Sequence, residues 1–220
     1  MNLKRIAAAG VFAASLFICT PFNTASAAEP FEALPEDIFQ WVQATPRASY
    51  YFNKQAMTYE IGPDGYADTN ILLVPVVYIY DDMQVKDVIM KRQWRDLSTY
   101  RFANELIGSS ELLRIDLTAK TVQHTQCTFL DQGYNSLYAS YERADENINE
   151  LSPKDVDNTF YQTILEYEQQ HRKEILERIA DKVRPETLKA AGIKIDTDKE
   201  SDNSHDKAEK KHRQSKHDRR

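Results

Sequence analysis

The sequence predicts an α+β protein, an antiparallel sheet of about six strands packed against a long C-terminal helix, followed by a disordered charged tail. Three observations carry that expectation. Segments of strand length, rich in Tyr, Val, Ile and Leu, are separated by short turn signals, which implies hairpins between sequence neighbours. After Ser152 the apolar period lengthens from two residues to nearly four and holds to Val183. From Lys194 to Arg220 only Ile195 and Ala208 are aliphatic, too little to bury a core.

Strands are expected near Tyr50–Phe52, Met57–Ile61, Ile71–Tyr80, Val85–Arg95, Leu112–Leu117, Val122–Leu130 and Tyr134–Tyr141. The turns between them are Gly62–Gly65, Asp81–Asp82, Thr118–Thr121 and Asp131–Gly133. Alternation puts Val88, Met90 and Trp94 on one face. It likewise groups Leu113, Ile115 and Leu117, with Arg114 and Asp116 pointing away. Ile71–Tyr80 is apolar on both faces and should be covered on both, while Pro75, which has no N–H, calls for an edge position or a bulge. The helix is expected to start at Ser152-Pro153-Lys154-Asp155, with Ser152 as N-cap and proline in the first turn. Val156, Phe160, Ile164, Tyr167, His171, Ile175, Ile179 and Val183 then make one stripe that ends before Pro185. That stripe should lie across the sheet. Its alternative use, an intermolecular coiled coil, leaves a homo-oligomer open.

The start of the chain reads as an export signal. Lys4 and Arg5 precede the uncharged apolar run Ile6–Cys19, which is too short to span a bilayer, and Pro21 and Ala25-Ser26-Ala27 follow. Cleavage is expected between Ala27 and Ala28. Bulky Phe17 and Ile18 before Cys19 argue against lipid attachment there. The chain thus divides into a signal peptide (1–27), a single α+β domain (28–193) and a tail (194–220), with a periplasmic, secreted or cell-surface location and no transmembrane segment in the mature chain.

Losing residues 1–27 removes Lys4 and Arg5 and no acid, so the formal net charge of −6 becomes −8. That balance disfavours nucleic acid, or an anionic membrane, as the main partner of the folded part. The tail separates its charges. Acidic residues come first, then Lys207, Lys210, Lys211, Arg213, Lys216, Arg219 and Arg220, a candidate electrostatic tether to an envelope polymer or a protein with an acidic face. The other reading of the tail is a solvated end. With Cys19 removed, Cys127 stands alone, which excludes an intrachain disulfide and suits a small apolar residue in the core.

No residue can be named as catalytic, cofactor-binding or metal-ligating. Glu168 and His171 have the spacing of two ligands on one helix face, but no second copy accompanies them, so His171 reads as a packed histidine. His124 and Cys127, three apart on a strand, should face opposite ways, which disfavours a nucleophile pair. Phosphate-binding loops, dinucleotide fingerprints and nucleophile elbows are absent from the sequence.

Trp41, Tyr50-Tyr51-Phe52-Asn53-Lys54, the apolar strand to Tyr80, Ile115-Asp116 and Phe129-Leu130-Asp131-Gln132-Gly133 occur in an order that resembles the bacterial surface-adhesin protein E-like domain, over roughly Trp41 to Tyr141. Leu117 stands where that family often has a cysteine, and the lipid-attachment signal of its anchored members is missing. The resemblance implies a small antiparallel sheet with a helix, and a non-enzymatic exported domain that binds another macromolecule or a small apolar ligand. The expected function is therefore that of an exported binding or interaction protein of the bacterial envelope or surface. The alternatives are an envelope hydrolase whose site spacing does not show, and an oligomeric assembly component built on the long helix.

Overall fold

A computed structural model describes residues 33–194. In chain order the elements are β1 (Phe39–Ala44), β2 (Ala48–Asn53), β3 (Thr58–Ile61), β4 (Ala67–Tyr80), α1 (Asp82–Gln93), α2 (Tyr100–Glu105), β5 (Gly108–Asp116), β6 (Thr121–Leu130), β7 (Ser136–Ser140), β8 (Glu146–Asn147), α3 (Val156–Arg178) and α4 (Pro185–Ala190). The eight strands form one antiparallel sheet in the order β1-β2-β4-β5-β6-β7, with β3 also on β4 and β8 on β6. Six of them match expected strands. The two-residue β8 has no alternation of its own, and in β1 the alternation that Phe39 and Trp41 begin is broken at Val42, where the pairing with β2 shifts register.

The core lies between one face of this sheet and α3. Leu72, Val74, Val76 and Tyr78 of β4, Leu113 and Ile115 of β5 and Val122 of β6 meet Phe160, Tyr161, Ile164, Ile175 and Leu176 of α3. The apolar stripe of α3 is thus used inside its own chain. Farther along, Val88, Phe102 and Leu106 from the α1–α2 region pack against Phe129 and Leu137. The second cover expected over β4 is not provided by a helix among the described residues: Ile71 and Val77 are buried yet belong to neither cluster. Nor is β4 an edge. One side pairs with β5, and the other changes partner, from β2 at Val76–Tyr80 to β3 at Ala67–Leu73. Pro75 falls at this changeover, where no strand on that side requires an N–H.

The expected strand Val85–Arg95 is helix α1. Asp81 and Asp82 do not turn a hairpin. Asp81 caps the helix, its carboxylate accepting from the Gln84 amide at 2.7 Å. An N-cap acid followed three residues later by Gln84 is a helix-start signal the sequence did contain, although the Asp81 amide itself donates to the Arg47 carbonyl at 3.0 Å. Alternation misled because α1 has two apolar lines, Val85, Val88 and Ile89 facing inward and Met83, Met90 and Trp94 facing solvent. Together they produce apolar residues at even spacing, which reads as a strand. Gly108 returns the chain to the sheet at a close approach, where a Cβ would stand 2.1 Å from the Tyr78 carbonyl oxygen.

Helix α3 begins later than expected. Ser152 to Asp155 is a turn, with the Asp155 amide donating to the Ser152 carbonyl at 2.8 Å, and the N-cap is Asp155, whose carboxylate accepts from the Asp157 amide at 3.1 Å. Asp155→Ala should therefore cost about 1 kcal/mol and Ser152→Ala clearly less, an order that urea denaturation of the two variants will check. The helix also stops sooner, at Arg178. A 3-10 turn follows at Ala180–Lys182, and Pro185 opens α4, where its fixed φ is favourable. Arg178 ties the end of α3 to the β2–β3 turn by donating to the carbonyls of Lys54, Gln55 and Met57.

Candidate functional site

The inner flank of α1 forms one wall of a cleft. Gln84, Val88 and Lys91 recur at steps of four and three residues, which aligns them along the helix, and Arg95 follows in the turn beyond its end. With Arg92 and Leu97 they face Phe129, Ser140, Tyr141 and Glu142 across a volume of about 660 Å³. The Arg92 guanidinium lies 3.8 Å over the Phe102 ring and donates to the Ser98 carbonyl at 3.0 Å, and burial lowers its pKa. Lys91, Arg92 and Arg95 make no ion pair among the described residues, and Glu142 is the sole acid on the cleft wall. On an acidic chain this is a locally positive, aromatic-floored recess. It suits an anionic group carried on an apolar or ring-shaped body.

Behind the floor lies a buried acid–histidine network. The pairing of β5 with β6 shifts register between Ser110 and Leu112, and Gln126 has φ 51°, so β6 bulges opposite Glu111. The bulge resets alternation. His124 and Cys127 are both buried while Thr125 and Gln126 are exposed, which corrects the expectation that His124 and Cys127 face opposite ways. Glu111 accepts from Tyr141 at 2.6 Å and meets His124 Nδ1 at 2.6 Å, and His124 Nε2 is 3.2 Å from the Tyr161 hydroxyl. Tyr161 donates to Glu146 at 3.0 Å, and Arg143 bridges Glu146 and Asp157 at 3.0 and 2.6 Å.

Burial alone would raise the Glu111 pKa, yet hydrogen bonds from His124 and Tyr141 and the charge of Arg143 outweigh it and hold the carboxyl below its ordinary value. Burial alone would lower Arg143, but the acidic groups Tyr78, Tyr161, Asp157 and Glu111 around it raise it. Burial raises Asp157, whose Oδ1 has no hydrogen-bond partner. The side chains of His124 and Glu111 are only 0 and 2 % exposed, so a substrate cannot reach them. Burial also pushes the Cys127 thiol up to about 11, far from a reactive thiolate at neutral pH. Tyr141 joins the two parts, since its ring lines the cleft 4.8 Å from Phe129 while its hydroxyl serves Glu111.

The Glu168–His171 pair does not converge. Glu168 accepts from Tyr59 and Arg172, whereas His171 stacks on Tyr167 at 3.9 Å and bonds the Tyr167 carbonyl at 3.0 Å, a packed histidine as expected. Among the described residues no group of three His, Cys, Asp or Glu side chains is placed to hold a metal ion, and no helix is long and apolar enough to cross a membrane. Trp41 lies on β1 and is half exposed. The cleavage site at Ala27 and Ala28 and the basic block from Lys207 to Arg220 lie outside the described residues. Sequence reading missed the cleft cations because it placed Val85–Arg95 on a strand, where Lys91 and Arg95 do not align with Gln84. No protein-family model, no curated protein and no solved structure matches this chain.

Proposed function

We propose that this is an exported, non-enzymatic binding protein of the bacterial cell envelope or surface, and that the cleft beside α1 is its binding site for an anionic ligand. The observation that carries the reading is the set Lys91, Arg92 and Arg95, cations without carboxylate partners among the described residues, gathered over Phe129 and Tyr141. The sealed environment of His124 and Glu111 weighs against the hydrolase alternative, because an acid–base pair needs contact with its substrate. The burial of Phe160, Ile164 and Ile175 against the sheet weighs against assembly through α3. Export rests on residues 1–27, and the likeness to surface-adhesin E-like domains agrees with a binding role.

Titration with inorganic phosphate, followed by amide NMR, should shift Lys91–Leu97 and Ser140–Glu142 together. Arg95→Glu should weaken that binding at least about tenfold, since a charge-assisted hydrogen bond contributes about 1.5 to 3 kcal/mol. Shifts scattered over the surface and indifferent to Arg95→Glu would refute the site.

A further inference from the structure

We infer that the α1–α2 corner seats the protein on an anionic membrane surface, with the cleft receiving a lipid phosphate and the exposed apolar line beside it entering the headgroup layer. This deepens the reading of the cleft as an anion site and rests on it. Met83, Met90 and Trp94 are spaced seven and four residues apart, which places them in one line along the outer side of α1. They are 54, 43 and 79 % exposed, and two more exposed apolar side chains, Leu97 at the cleft rim and Tyr100 at the start of α2, follow at 46 and 80 %. Five of the nine exposed large apolar side chains among the described residues therefore fall between 83 and 100. A cluster of that kind marks a contact surface, whereas scattered ones do not.

The net charge of the chain disfavours an anionic membrane, so the choice of partner rests on the cations beside the line that make no ion pair among the described residues. Residues 82–105 carry Lys86, Lys91, Arg92, Arg95 and Arg101 against Asp82, Asp87, Asp96 and Glu105, on a chain whose net charge is −6. Arg101 is paired with Glu105 and Asp87 with Arg47, which leaves Lys86, Lys91, Arg92 and Arg95 against three acids, Asp82 at the start of α1, Asp96 and, across the cleft, Glu142. Lys86 and Lys91 flank the apolar line, and long basic side chains beside Trp and Tyr suit the boundary between acyl chains and headgroups. The core of a protein interface would instead be depleted of lysine. Lys91 belongs both to the cleft wall and to the flank of the line, so a phosphate in the cleft and apolar contact beside it come from one approach. A stripe this short anchors weakly, so binding should be reversible and fall with salt.

The test is co-sedimentation of the full chain with vesicles of phosphatidylglycerol and phosphatidylcholine in equal parts, against phosphatidylcholine alone. The mixed vesicles should bind and the neutral ones should not. The double variant Met90→Ser, Trp94→Ser changes exposed side chains only, and it should reduce vesicle binding at least tenfold while leaving the phosphate titration unchanged. Arg95→Glu should weaken both. Vesicle binding unaffected by the double variant, or equal for both vesicle types, overturns the membrane proposal and leaves the anion cleft standing if phosphate still shifts Lys91–Leu97. Dimerisation in sedimentation velocity that the double variant abolishes, without vesicle binding, likewise overturns it in favour of a protein partner. Failure of phosphate to bind at all removes the cleft reading itself.

Discussion

Phe160→Ala should destabilise the protein by about 3 to 5 kcal/mol, the range for removing a fully buried aromatic ring. The ring is 0 % exposed and sits among Tyr50 and Tyr78 at centroid distances of 5.4 and 5.9 Å. Its neighbours cannot easily collapse into the space. Phe160 belongs to α3, anchored by its own packing, and the Tyr78 and Tyr161 backbones are fixed by β4 and α3. The cavity should therefore persist, and the loss should exceed the about 1 kcal/mol of the Asp155 cap. Urea denaturation reads the difference directly. A loss below about 1 kcal/mol would mean that α3 does not close this core.

The second large effect is expected at Arg143, which pairs with Glu111, Glu146 and Asp157 in the buried network. Removing one member of a buried ion cluster leaves the others uncompensated, a loss of about 3 to 5 kcal/mol in fully buried cases. The Arg143 side chain keeps 24 % exposure, so Arg143→Met should fall near the lower end. The pH dependence separates charge from packing. In the native protein Glu111 is held below its ordinary value of 4.5, so its stabilisation is complete above that value and is lost as pH falls through the lower folded value. Asp157, raised by burial, works in the opposite sense, favouring the fold more as it protonates. Without Arg143 both carboxyls should rise, and acidification then relieves the variant. The stability gap between native protein and variant should thus shrink between pH 7 and pH 4. An equal gap at both would show that Arg143 acts through its packing.

The sequence by itself determined the fold class, six of the eight strands, the long helix and the buried stripe of Phe160, Ile164 and Ile175. Those are consequences of apolar period, which is local and survives any choice of partner. Even the N-cap at Asp81 was legible, though two apolar lines on one helix imitated a strand and hid it. Only the tertiary structure decided the rest. A bulge at Gln126 turned His124 and Cys127 to the same side, since one extra residue inverts alternation and no residue type announces it. Pro75 is tolerated inside the sheet because β4 changes partners there, a fact about β2 and β3. The network joins Glu111, His124, Arg143 and Asp157 across four separate segments, and the cleft joins α1 to β6 and β7. Such sites depend on which segments meet in space, and a buried charge shows its purpose only when its partners, distant in sequence, stand beside it.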